Sequence, residues 1–160
     1  MQMGITTGNS RVMPSGTIRT ILGSKSPEVF SISPADTVYR AIELMNEKRV
    51  GALLVMDDGR LVGIISERDY ARKVILMGRL SKETTVAGIM SSPVVVVTPG
   101  TTLVECMEIM TNHHFRHLPV VEKNEVVGLV SIGDLVRVII EQQADQIEHL
   151  HNYIHGPYPG

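Results

Sequence analysis

Cysteine is nearly missing from this chain. Cys106 is the only one, so no intrachain disulfide and no thiolate metal cluster can form within one molecule, and a reducing, cytoplasmic setting is expected. Tryptophan is absent and aromatics make up 4% of the 160 residues. Stacking platforms for single-stranded nucleic acid are therefore scarce, and the core must be built from Val, Ile, Leu and nine Met. Neither sign of charge dominates: 15 Lys and Arg stand against 17 Asp and Glu, which leaves no general field to draw a polyanion. No apolar run approaches the roughly 18 residues of a membrane span. Met1 to Gly16 is polar, rich in Gly, Ser and Thr, and lacks the apolar centre of a secretion signal. Nucleic acid and membrane are thus not expected partners. A Walker loop, a Gly-x-Gly-x-x-Gly turn and a Ser-His-Asp arrangement in recognisable context are also missing. With 43% hydrophobic and 20% charged residues, what remains is a small globular chain.

What is present is a repeat. Pro34 and Pro99 lie 99 − 34 = 65 residues apart, and the same offset pairs Thr37 with Thr102, Glu43 with Glu108 and Met45 with Met110. It goes on to pair Leu53 with Leu118, Val55 with Val120, Val62-Gly63 with Val127-Gly128, Ser66 with Ser131, Asp69 with Asp134 and Arg72 with Arg137. An ungapped run of this kind marks a duplicated unit. In each copy a β-branched stretch, Glu28 to Ile32 or Val94 to Val97, precedes a Ser-Pro or Thr-Pro break and is expected to be a strand. Val38, Ala41, Ile42 and Met45, like Leu103, Cys106, Met107 and Met110, follow helical spacing. Ala52 to Met56 and Leu61 to Ile65 predict a hairpin, as do His117 to Val121 and Val126 to Val130. A second helix is expected from about Arg68 to Leu76 and from about Asp134 onward. The fold class is therefore mixed α/β: two β-α-β-β-α units over residues 17–76 and 85–140, too small to fold singly and hence packed together. Residues 1–16 are expected to be flexible, 77–84 a solvated linker and 141–160 a helical tail. Thr17-Ile18 and Ile21-Leu22 echo Thr85-Val86 and Ile89-Met90, which adds the lead-in segments to the repeat.

Each unit ends on Gly-h-h-Ser-x-x-Asp, at Gly63 to Asp69 and Gly128 to Asp134. This places a hydroxyl and a carboxylate where a buried strand meets a helix start, a place that suits a phosphate and, through the carboxylate, a ribose diol. The same pattern also makes a capping box that only satisfies backbone donors, and a serine can do both. Together with Pro-x-x-Thr before a helix, Arg49-Val50-Gly51-Ala52-Leu53, and Phe115-Arg116-His117-Leu118-Pro119-Val120, the duplicated pattern resembles a tandem pair of CBS domains, a Bateman module, over roughly Thr17 to Ile140. It departs at Leu54, where the second copy has Pro119.

The resemblance implies a pseudo-twofold disc with two clefts for an adenosyl ligand: AMP, ATP, NAD or S-adenosylmethionine. It also implies a homodimer, and a regulatory sensor that signals to a protein partner instead of catalysing. By position, one cleft combines Ile64, Ser66 and Asp69 with Val94, Val95, Arg116 and His117. The other combines Leu129, Ser131 and Asp134 with Val29, Phe30, Gly51 and Ala52, with Arg68 reaching its phosphate. Two alternatives stay open: a small nucleotide-processing enzyme using His117 or His114 as base, and a structural oligomer with unused clefts. His113, His114 and His117 lack the carboxylate or thiol partners of a metal site; Cys106 and the Met stripe read as packing. In the tail, Ile140, Ala144, Ile147, Leu150 or His151, and Ile154 recur at spacings of three and four, predicting a helix that runs on to near Gly156-Pro157.

Overall fold

The computed structural model describes residues 13–154, with side chains through His151. The N-terminal part of the expected flexible segment, the side chain of Ile154 and the stop near Gly156-Pro157 lie outside the described residues. Helix α1 (Ile18–Gly23) leads into strand β1 (Ser31–Ile32), helix α2 (Val38–Lys48), strands β2 (Ala52–Asp57) and β3 (Arg60–Ser66), and helix α3 (Glu67–Tyr70). The second copy follows a 3-10 turn (Val86–Gly88) and contains helix α4 (Leu103–His113), strands β4 (His117–Glu122) and β5 (Glu125–Ser131), and helix α5 (Ile132–Ile154).

Local chemistry explains these elements copy by copy. Thr37 and Thr102 cap α2 and α4 by accepting from the amides of Arg40 and Glu105 at 3.1 and 3.0 Å, leaving no orphan donor at those positions. Both helices end on a left-handed residue, Arg49 at φ 56° and its counterpart His114 at φ 57°. The hairpins turn through Asp58-Gly59 and Lys123-Asn124, all at positive φ, the two-residue turn that matches strand twist. Even the irregularity repeats: the register shifts after Val55 in one hairpin and after Val120 in the other.

Three expectations change. The strand expected over Glu28 to Ile32 shrinks to Ser31–Ile32, and Val94 to Val97 forms no strand. In the first copy the Leu54 amide donates to the Phe30 carbonyl at 3.1 Å; in the second, Pro119 stands at that position and has no N–H to give. Val97 keeps a single parallel bridge to Val120, and Ser91, a few residues earlier, pairs instead with Ile64 of the first sheet. The chain thus passes from the first sheet at Ser91 to the second at Val97, and only Val97 of the expected strand is bridged. The helix expected over Arg68 to Leu76 is α3 continued as a π-helical turn over Ala71–Ile75.

The lead-in segments do pack, but crosswise. Ile18 and Ile21 sit fully buried in the core of the second copy with Leu103, Cys106, Leu118 and Val130. Val86 and Ile89 complete the core of the first with Val38, Met45, Leu53 and Ile65. Ser15 exchanges two hydrogen bonds with Gln142 of α5. Helix α5 runs on past the repeat as the spacing predicts, with Ile140, Ile147 and Leu150 at least half exposed. Among the described residues no helix is long and apolar enough to cross a membrane. Because Ile21 is part of the second copy's core, Ile21→Ala should lower stability by about 2–5 kcal/mol in urea unfolding; a loss below about 1 kcal/mol would show that the crosswise packing does not hold the fold together.

Candidate functional site

Both Ser-x-x-Asp pairs form complete capping boxes. The Asp69 amide donates to Ser66 Oγ at 3.1 Å and the Ser66 amide to Asp69 Oδ2 at 3.0 Å; Ser131 and Asp134 repeat this at 3.1 and 2.9 Å. One oxygen of each carboxylate is thereby committed to the backbone. The Ser66 hydroxyl also donates to Asp69 Oδ2 at 3.0 Å. The other oxygen of Asp69, Oδ1, is 3.1 Å from Lys73 Nζ and 3.4 Å from Ser91 Oγ.

Asp69 opens onto a cavity of about 590 Å³ between the copies. From the first copy come Gly51 at the entry to β2, Ile64 and Ser66 at the end of β3, and Glu67, Arg68, Asp69, Arg72 and Lys73 on the turn of helix that follows. The second copy contributes His113, His114, Phe115, Arg116 and His117, which run from the end of α4 to the start of β4, and Ser91 closes the wall. Of the residues expected here, Ile64, Ser66, Asp69, Arg116 and His117 meet as proposed. Val94 does not: it lines a separate groove of about 670 Å³ with Met56, Val62 and Val121. Val95 packs against the second core. Both leave the cleft because the run that carries them crosses from one sheet to the other. Gly51 and Arg68, expected in the second cleft, line this one instead. A Cβ on Gly51 would sit 3.7 Å from the His117 ring, so these strand starts face each other near the pseudo-twofold axis. Arg68 is turned inward by donating to the His114 carbonyl at 3.2 Å.

Sequence reasoning missed Phe115 as a wall, along with Glu67, Arg72, Lys73 and Ser91. The signal for Phe115 was its place beside Arg116 in the strand-entry motif. Its ring stacks on His113 with centroids 5.4 Å apart and planes 10° from parallel, which offers a flat surface at one side of the cavity. Arg72 and Arg116 take part in no salt bridge among the described residues, so the cavity carries an excess of uncommitted positive charge.

The second cleft is a different object. Asp134 is 9% exposed, and Lys25 reaches it from the segment after α1: Nζ lies 2.6 Å from Asp134 Oδ2 and 2.8 Å from the Leu129 carbonyl. Arg137 stands 3.6 Å from the other oxygen. The cavity that touches Leu129 and Val29 holds only about 60 Å³. Phe30 packs against the first core and Ala52 is buried at the start of β2. The expected set of Val29, Phe30, Gly51, Ala52, Leu129, Ser131 and Asp134 is therefore not gathered around one open space, because a lysine occupies the carboxylate. Cys106 is buried, and burial pushes its thiol up to about 11, consistent with packing. Among the described residues no group of three His, Cys, Asp or Glu could hold a metal ion.

Comparison with known proteins agrees with the doubled architecture. The family described as CBS domain matches residues 19–75 and again 86–141. The Arabidopsis thaliana protein CBSX3, mitochondrial, is 43% identical over 128 residues, which is 77% of this chain and 62% of that protein. YhcV of Bacillus subtilis (strain 168) is 34% identical over 116 residues, 72% of this chain and 82% of that one. This chain thus spans less than two thirds of the Arabidopsis relative. Among solved structures, a signal-transduction-class chain with CBS domains from Burkholderia ambifaria MC40-6 superposes with a TM-score of 0.77 at 46% identity, covering 80% of this chain and 96% of that one. A hexameric CBS-CP12 protein from bloom-forming cyanobacteria superposes at 0.69 with 27% identity, covering 76% and 71%.

His117 is the electrostatic centre of the site. Burial holds its imidazole below the ordinary value, Asp134 and Asp69 pull the other way, and Lys25 and Arg116 add to the depression. For Asp134, burial disfavours the charged form, but hydrogen bonds from Lys25 and the Ser131 amide overcome it and hold the carboxyl below its usual range. A depressed histidine binds its proton less readily folded than unfolded, so between the two values the unfolded chain holds more protons and stability falls as the pH drops. Urea unfolding should therefore show stability declining as pH falls below about 6.5, and His117→Gln should flatten that part of the profile; an unchanged slope in the variant would remove His117 as its source.

Proposed function

Because the chain belongs to the CBS-domain family and carries the domain twice, we propose that it is a regulatory module whose open cleft binds an adenine nucleotide of the AMP, ATP or NAD type and relays the bound state to a protein partner. One observation carries this reading: the cavity of about 590 Å³ joins a flat wall of Phe115 stacked on His113 to a rim holding Arg68, Arg72, Arg116 and His117. A planar base suits the first and a phosphate the second. Guanidinium groups form paired, charge-assisted hydrogen bonds to phosphate, and Arg72 and Arg116 have no salt bridge among the described residues to give up. A cationic sulfonium such as that of S-adenosylmethionine would meet a rim of its own sign, so the phosphorylated ligands are favoured. Asp69, with one oxygen already committed to the cap, offers Oδ1 to a ribose hydroxyl in exchange for Lys73 or Ser91.

Ligand-free and AMP-titrated protein compared by calorimetry should show AMP binding more tightly than adenosine, with the difference shrinking as salt is added. Hydrogen bonds to a charged group contribute roughly 1.5–3 kcal/mol, so Arg116→Ala should weaken AMP by about tenfold to a hundredfold and adenosine little. Equal affinity for the two ligands in low salt would defeat the phosphate assignment.

The proposal also includes self-association as a homodimer. Ile140, Ile147 and Leu150 are exposed along α5 in the single chain, and the helix beyond the repeat is too short to be stable alone. Sedimentation of a chain ending at Glu141 should show loss of the dimer; an intact dimer would confine the contact to the repeats themselves.

A further inference from the structure

The two halves repeat at an offset of 65, but their lead-in segments repeat at 85 − 17 = 68. The three additional residues fall between α1 and β1: Leu22 to Ile32 is 10 steps, whereas the corresponding Met90 to Val97 is 7. The structure verifies which residues correspond, since Leu22 packs over Gly128 as Met90 packs over Gly63, each with an atom 2.6 Å from where a glycine Cβ would lie. Lys25 sits in the lengthened stretch and spans 109 residues to reach Asp134. Both carboxylates are largely covered, Asp134 at 11% and Asp69 at 14% side-chain exposure; what differs is the covering group, because Lys25 Nζ is satisfied at once by Asp134 and by the Leu129 carbonyl. Asp69 also has a lysine beside it, but Lys73 approaches from i+4 on the same helical turn and forms part of the wall of an open cavity.

We propose that Lys25 is a built-in occupant that holds the second cleft shut, so that the chain takes one nucleotide per molecule, in the Asp69 cleft. The lengthened connection places a cation against the carboxylate that the repeat pairs with Asp69: Lys25 holds the oxygen that also accepts from the Ser131 amide, and Arg137 stands 3.6 Å from the other oxygen. The closure stands on the Lys25 geometry alone; only the count of bound nucleotide rests on the function proposed above.

Two measurements on the full chain separate these parts. The first acylates the protein with an amine-reactive ester and follows each lysine by peptide mass spectrometry. Lys25 should react several-fold more slowly than the exposed Lys123, and Asp134→Asn should remove that protection. The second counts AMP by native mass spectrometry: one per chain in the unaltered protein and two in Lys25→Ala, with Lys25→Gln used if the alanine variant fails to fold by circular dichroism. Lys25 reacting as fast as Lys123, two AMP bound to the unaltered protein, or one AMP bound to both proteins would each overturn the proposal. A protected Lys25 in a protein that binds no AMP would uphold the closure and defeat the nucleotide reading instead.

Discussion

Everything in this molecule depends on a crosswise exchange of lead-in segments. The Ile18 amide donates to the Thr101 carbonyl and the Val86 amide to the Asp36 carbonyl, each at 2.8 Å, so the backbone that precedes one copy is hydrogen-bonded into the other. With Ile18, Ile21 and Val86 fully buried, neither copy can close its core from its own contiguous residues. Small units bury too little surface to be stable alone; here the shortfall is met by the partner copy. Within each copy the strand start is tied to the helix that follows, the Glu67 amide to the Gly51 carbonyl and the Ile132 amide to the Arg116 carbonyl, and across the copies Gly51 meets the His117 ring, which places the two strand starts at the mouth of the cleft.

How much of this could be read from sequence follows from where each interaction lies along the chain. The offset of 65 exposed the architecture because each element is dictated within a few residues: a threonine cap, a left-handed stop, a two-residue turn. The capping-box alternative for Ser66 and Ser131 was legible for the same reason, and the structure shows it in both copies. The Leu54 and Pro119 difference was visible, yet its consequence for Val94 to Val97 needed the knowledge that Phe30 supplies the matching acceptor. Lys25 was out of reach. It belongs to no motif, and nothing local marks a lysine whose partner is 109 residues away; only the discrepancy between offsets of 65 and 68 hinted that the halves differ there.

Departures from the twofold are concentrated where they change chemistry. At the strand starts, Gly51-Ala52 stands opposite Arg116-His117, so one side supplies space and the other charge. Lysine closes one cleft, while arginines that take part in no salt bridge among the described residues rim the other. A duplicated scaffold starts with two equivalent sites, and a handful of side chains is enough to leave one open, because cleft shape depends on side chains whereas the core depends on the periodicity that the two copies share.

The open cleft is also where an occupant would touch both copies at once. Arg68, Arg72 and Lys73 belong to the first, and the stretch from His113 to His117 to the second. A ligand shifts an equilibrium only by the difference in its interactions with the two states, and a ligand contacting one copy alone would be indifferent to their relative placement. Bridging removes that indifference: under the proposed function, a phosphate held by both Arg68 and Arg116 would lose contact with one of them if one copy turned against the other. Where the two copies meet, a Cβ on Gly51 would lie 3.7 Å from the His117 imidazole, so the strand starts are already close. Helix α5 begins directly after Ser131, the residue that caps it, and continues to Ile154, so the exposed Ile140, Ile147 and Leu150 are carried on the same element as Asp134.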